Sequence, residues 1–162
     1  MRLLDFIVEG AIVTPLAHAE RDGVILELLD RLIAEGAVDV SLRETLKLRA
    51  MERERSGSTG FGRGVAVPHV KHPSVKRISA ALGISPKGVE FQSLDRQPVY
   101  TVFLLVSPED KPDEHLQAME ALFKHLNKES FRRLLRNAGS REEVVAVLRE
   151  ADHGLPGGMS LR

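Results

Sequence analysis

Cysteine is absent from the 162 residues. That excludes disulfide scaffolds, thiol nucleophiles, thioredoxin-like redox chemistry and cysteine-ligated zinc or iron–sulfur sites. Neither sign of charge is in excess: 23 Lys and Arg balance 23 Asp and Glu. A general electrostatic binder of nucleic acid carries surplus basic groups, so no nucleic-acid partner is expected. Aromatic residues make up 4% of the chain, which leaves few platforms for stacking bases. Long hydrophobic runs are also missing. The longest strongly apolar stretch, Val99 to Val106, falls far short of the roughly 20 residues that span a bilayer. Asp5 and Glu9 interrupt the apolar N-terminus and no cleavage site follows, so no signal peptide is read. The expected location is the cytoplasm, with no direct membrane insertion.

What remains is an ordinary globular mixture, 43% hydrophobic and 28% charged. The length fits one domain, at roughly 150 residues each. A chain of this size buries roughly 70% of the surface exposed when unfolded, so it needs no covalent or metal staple. One domain over residues 1–151 is expected. A flexible tail should follow over 152–162, reading DHGLPGGMSLR, rich in Gly and Pro.

Apolar spacing predicts helices over 20–35, 42–55, 113–126, 128–136 and 141–151. Ser41 with Glu44, and Ser140 with Glu143, have the spacing of capping boxes. On the third helix, Leu116, Met119, Leu122, Phe123 and Leu126 are placed inward. Strands are predicted at 78–84, at 98–106, over Val65 to Val67, and more weakly at 11–13. The 98–106 strand is apolar on both faces, as a doubly covered central strand must be. With helices at both ends of the chain, the fold class is α/β, a three-layer α/β/α domain.

Chemistry concentrates in Ser58 to His72, STGFGRGVAVPHVKH. Gly60, Gly62 and Gly64 allow tight turns and close backbone approach. A short β pattern then runs to Pro68, which cannot continue a central ladder, so the strand should end there. His69 is left just past a strand end, on a stiffened backbone beside the glycine loop. That position exposes an imidazole and sets its direction. The alternative is a solvent-exposed loop histidine without a role.

Two further residues point to the same place. Arg53 follows Leu46 by seven residues and so shares its inward stripe. A guanidinium does not deprotonate, so an inward arginine needs an anionic partner, unless it snorkels past the helix end. His115, in the first turn of the 113–126 helix, shares the stripe of Met119, Leu122 and Leu126. It could donate to an anion at that helix start, or be a core-edge histidine satisfied by a carbonyl. Two histidines and an arginine converging on a glycine loop, without metal-type spacing, point to phosphoryl chemistry on histidine.

The run Glu52-Arg53-Glu54, Ser58-Thr59-Gly60 and Gly62-x-Gly64-Val65-Ala66-Val67-Pro68-His69 resembles the phosphorylation signature of enzyme IIA of the bacterial phosphotransferase system. The likeness is to the fructose/mannitol type, which includes nitrogen-regulatory IIA proteins. It extends through Val89-Glu90-Phe91, Asp95 and His115-Leu116, covering about residues 5–151. The resemblance implies a mixed central sheet and a phosphoryl carrier that takes phosphate from HPr, or a nitrogen-branch equivalent, and passes it to a IIB component. Alternatively, it implies a regulator whose phosphorylation state partner proteins read, without sugar transport. His69 would be the phosphorylated histidine, His115 the supporting donor and Arg53 the charge stabiliser. No cofactor or metal is implied. Arg63, where Asn or His is common in that family, is expected to add charge at the site.

Other readings fit less well. His69 and His72 are bracketed by Pro68 and Pro73, so they do not present both rings to one metal from a helix. The glycines of the loop lack the dinucleotide-fingerprint spacing and lead into a strand rather than a helix.

Overall fold

The structure is a computed structural model that describes residues 1–154. Its sheet contains β1 (Ile7–Val13), β2 (Gly60–Gly62), β3 (Val65–Ala66), β4 (His69–His72), β5 (Ser79–Val89) and β6 (Val99–Pro108). Helices α1 (Arg21–Ala34), α2 (Arg43–Ser56), α3 (Pro112–Leu126), α4 (Glu129–Asn137) and α5 (Arg141–Asp152) cover both faces. The strand order is β1-β5-β6-β3-β2, with β4 also on β6. β5 runs antiparallel to β6, while β1–β5, β3–β6 and β4–β6 are parallel pairs. This is the expected mixed sheet within three layers.

Alternation along β6 explains the layering, because successive strand side chains point to opposite faces. Val102, Leu104 and Val106 join a core under α1 and α2, which supply Val24, Leu28, Leu32 and Leu46. Phe103 and Leu105 join a second core under α3, α4 and α5, which supply Leu122, Leu126, Leu135 and Leu148. Burying such side chains on both faces contributes roughly 1.5–3 kcal/mol each, so the central strand is a rigid foundation.

Four local expectations are corrected. The strand does not end at Pro68. Val65 pairs with Thr101 and His69 with Leu105, so β3 and β4 share one register offset along β6. Pro68 lacks a donor, but its carbonyl still accepts from the Leu105 N–H at 3.0 Å, and pairing resumes at His69. β1 starts at Ile7, four residues before the predicted start, because a register shift between Ile7 and Ile12 breaks the alternation that marks a strand. Ser41 does not box α2. It lies in a 3-10 turn over Val40–Leu42, where the Asp39 carboxylate accepts from its N–H. Leu116 is 57% exposed, since the inner stripe of α3 runs through His115, Ala118, Leu122 and Leu126.

Ser140 does cap α5, accepting from the Glu143 N–H, although Glu143 reaches back to the Gly139 N–H rather than to Ser140. At the other end Asp152 closes α5 and accepts from the N–H groups of Leu3 and Leu4 at 2.6 and 3.0 Å. It belongs to the fold and not to the tail. The rest of the predicted tail, 155–162, lies outside the described residues.

Candidate active site

Tight turns build the loop that leads to His69. Gly62 and Gly64 have φ of 108° and 78°, the left-handed region that side chains avoid. A Cβ at Gly64 would also stand 3.1 Å from the Tyr100 ring. Around them the loop is tied down. The Glu54 carboxyl, 3% exposed at the end of α2, accepts from the Thr59 N–H and from the Thr59 hydroxyl. The Ser93 hydroxyl donates to the Gly60 carbonyl at 2.8 Å. The Asp95 carboxylate accepts from the Arg63 and Gln97 N–H groups.

His69 opens β4 and its ring is half-buried. Its Nδ1 lies 2.9 Å from the Val67 carbonyl oxygen. A carbonyl only accepts, so Nδ1 carries the proton and the neutral ring keeps its lone pair on Nε2. Burial holds His69 below the ordinary histidine pKa. The Val67 carbonyl opposes that shift, and the nearby Arg53 charge adds to it. The ring is therefore neutral at neutral pH, with one nitrogen anchored and the other nucleophilic.

His115 stands across from it. The two ring centroids are 5.5 Å apart with the planes tilted by 56°. The His115 Nδ1 and the fully buried Ser107 hydroxyl are 2.7 Å apart. When that hydroxyl donates, Nε2 of His115 carries the proton and becomes a donor. Burial first, then the charges of Lys71 and His69, pushes His115 down to about 4. Arg53 sits half-buried in the last turn of α2, beside and not on the expected inward stripe, which runs through Leu46, Ala50 and Glu54, and it donates through Nη1 to the Gly57 carbonyl at 2.7 Å. A guanidinium has further N–H donors beyond that bond.

The three residues singled out from the sequence thus gather at one end of the sheet, from β4, α3 and the end of α2. Glu54, Thr59, Ser107 and the Val67 carbonyl were not singled out. Glu54 and Thr59 were legible only as letters of the signature. Ser107 joins the site through the register of β4 on β6, which no local pattern announces, and the Val67 carbonyl through the local backbone two residues before His69. Arg63 is not beside His69. It turns β2 into β3, toward the opposite end of the strands. Among the described residues no three His, Asp or Glu side chains are placed to hold a metal ion. No helix of the described residues is long and apolar enough to cross a membrane.

A half-buried, neutral, singly anchored imidazole facing a second imidazole, with a guanidinium nearby, can accept and release an anionic group. Residues 5–151 match the family model described as "Phosphoenolpyruvate-dependent sugar phosphotransferase system, EIIA 2". The fructose-specific EIIA component of Haloferax volcanii is 33% identical over 82% of this chain and 84% of its own. The fructose-specific EIIABC component of Bacillus subtilis is 31% identical over 94% of this chain, which spans only 24% of that relative's length. The crystal structure of the nitrogen regulatory protein IIA-Ntr from Neisseria meningitidis superposes with a TM-score of 0.79 at 30% identity, covering 89% of this chain and 97% of that one.

Proposed function

The chain belongs to the phosphoenolpyruvate-dependent sugar phosphotransferase system EIIA 2 family, and on that premise we propose that it is a phosphotransferase working as a phosphoryl carrier through His69. The observation that carries this reading is the Nδ1–H bond to the Val67 carbonyl, which leaves Nε2 free.

In the proposed step, the Nε2 lone pair attacks phosphorus in line with the donor's phosphorus–nitrogen bond. The new bond forms as the old one breaks, and the electron pair leaves with the donor HPr, or its nitrogen-branch equivalent. The His69 ring gains positive character during attack. The Val67 carbonyl then accepts a stronger hydrogen bond from Nδ1–H, so this contact favours the transition state over the ground state. Arg53 and the Nε2–H of His115 stabilise the equatorial oxygens, and positioning supplies most of the acceleration. The acceptor is a IIB component, which attacks the same phosphorus from the open side. Leu116, exposed one residue from His115, offers apolar surface to a protein partner. The Bacillus subtilis relative, named as an EIIABC component, supports the IIB assignment.

The likeness to the Neisseria protein favours a second reading: the same chemistry, with the phosphorylation state of His69 controlling partner proteins and no sugar transported. Incubation with phosphoenolpyruvate, enzyme I and HPr tests the shared core. One acid-labile phosphoryl group should be gained, and His69→Ala should abolish it. Full labelling of that variant would remove His69 from its role. Release of label onto an added IIB component separates the carrier from the regulator.

A further inference from the structure

A second polar concavity lies away from the histidines. It is a groove of about 740 Å³ between the β2–β3 turn, the start of β6 and α4, and Arg63, Arg132, Arg133 and Arg136 line it. Tyr100 and Asp95 complete its wall. Val65 at the groove pairs with Thr101, whereas His69 pairs with Leu105. Four residues of strand therefore separate the two sites, about 13 Å.

The charge of the groove is not balanced from within. Among the described residues, Arg133 alone of the four has a carboxylate partner, Glu129 at 3.7 Å. Arg132 donates to a neutral acceptor, the Leu126 carbonyl. Arg136 lies over the Tyr100 ring, 3.4 Å from its centroid. Stacking occupies the face of that guanidinium and leaves its N–H edge free. Asp95 is already engaged by the Arg63 and Gln97 N–H groups. Like charges four apart on a helix, as Arg132 and Arg136 are, repel each other. The Arg63 backbone also sits at φ 61°, a left-handed conformation that favours Gly or Asn. Both are costs, and a polyanion in the groove would offset them.

We infer that this groove is a second anion site, separate from His69, that takes a small molecule carrying two or more phosphate groups. Guanidinium forks match phosphate oxygens in bidentate fashion, and several of them converge here. The volume admits a molecule larger than a single ion. Such a ligand would report the state of phosphorylated metabolites to a protein whose own chemistry is phosphoryl transfer.

Isothermal titration at low ionic strength tests this, with inorganic pyrophosphate as probe and citrate as an anion of similar charge. Pyrophosphate should bind wild type and His69→Ala alike, with a dissociation constant below about 1 mM, and more weakly as salt is added. The double variant Arg63→Asn/Arg136→Ala should lose about tenfold or more in affinity, the scale of one lost charge-assisted pair. Circular dichroism checks folding. Should the double variant not fold, Arg63→Asn alone carries the test, because Asn suits the left-handed turn. Absence of pyrophosphate binding, or binding that these variants retain, overturns the groove. Binding lost in His69→Ala would assign the anion to the histidine site instead. Citrate bound as tightly as pyrophosphate would overturn the phosphate class.

Discussion

A single carbonyl decides what His69 can do. The Val67 oxygen accepts from Nδ1–H, so Nε2 is the atom left for the proposed attack and the ring is held at one angle. The neighbouring groups differ in what they offer. Arg53 offers a guanidinium with several donors, whereas His115 offers one donor in one tautomer. Loss of a preorganised donor typically costs about 2.7–4 kcal/mol in a closed site. Water can substitute at a half-exposed one, so the low end applies. We expect His115→Ala to slow transfer from phospho-HPr by up to about a hundredfold, and Arg53→Ala to slow it more, both staying folded. Quench-flow rates would show this. Complete loss in folded His115→Ala would mean that His115 joins the covalent chemistry. Because burial lowers the His69 pKa below 6.5, its neutral form persists as pH falls toward that value. The transfer rate should therefore be flat above it and decline only in more acid solution.

Between elements, the site depends on how the end of α2 is joined to the glycine loop. Glu54 is the joint, buried and accepting twice from Thr59. Removing it leaves a buried N–H without a partner, at a cost of about 1–3 kcal/mol. Glu54→Ala should lower the denaturation midpoint accordingly. It should also slow phosphorylation of His69, since the Gly60–Gly62 strand and the Arg53 turn lose their common anchor. A variant with wild-type transfer and reduced stability would show that the joint serves the fold alone. The continuation of the β3 register past Pro68 into β4 matters at the same scale. It sets His69 opposite Leu105, two residues before the Ser107 that holds the His115 ring, and so brings His69 to face that ring.

For the molecule as a whole, burying neutral histidines links stability to pH. His115 titrates at about 4 in the fold, against an unfolded value of 6.5. Between those values the unfolded chain binds a proton that the native state refuses, so stability rises with pH across the window. The contribution is fully present above 6.5 and is lost as pH falls toward 4. The shift corresponds to at most about 3 kcal/mol, and residual hydration of the ring edge reduces it to about 2 kcal/mol. His69 and His125 shift in the same direction. Urea midpoints should therefore fall between about pH 7 and pH 4.5, within the range where histidine titrates. His115→Gln should flatten that slope. An unchanged slope would mean that the ring takes up its proton without leaving the native state.

The amino-acid sequence by itself determined the five helices, the doubly covered strand at 98–106 and the glycine signature ending at His69. Each of these is written in local periodicity or in contiguous residues, and each is held by short-range physics. It also pointed to His115, which helical spacing placed on the buried stripe of α3, and to Arg53, although Glu54 rather than Arg53 ends the buried stripe of α2. Tertiary structure alone decided which groups serve them. The facing of the His69 ring and the Ser107–His115 pair follows from β4 taking up the ladder on β6, a pairing between segments some 36 residues apart, whereas the Val67 carbonyl lies only two residues before His69 and is selected by the local backbone. The early part of β1 stayed hidden because a register shift erased its alternation. Arg63 belonged to the loop in sequence, yet a left-handed turn sent it to the far end of the strands and into a groove with the arginines of α4. Proximity along the chain is a local property, whereas proximity across a sheet is set by strand register, and no local pattern encodes that register.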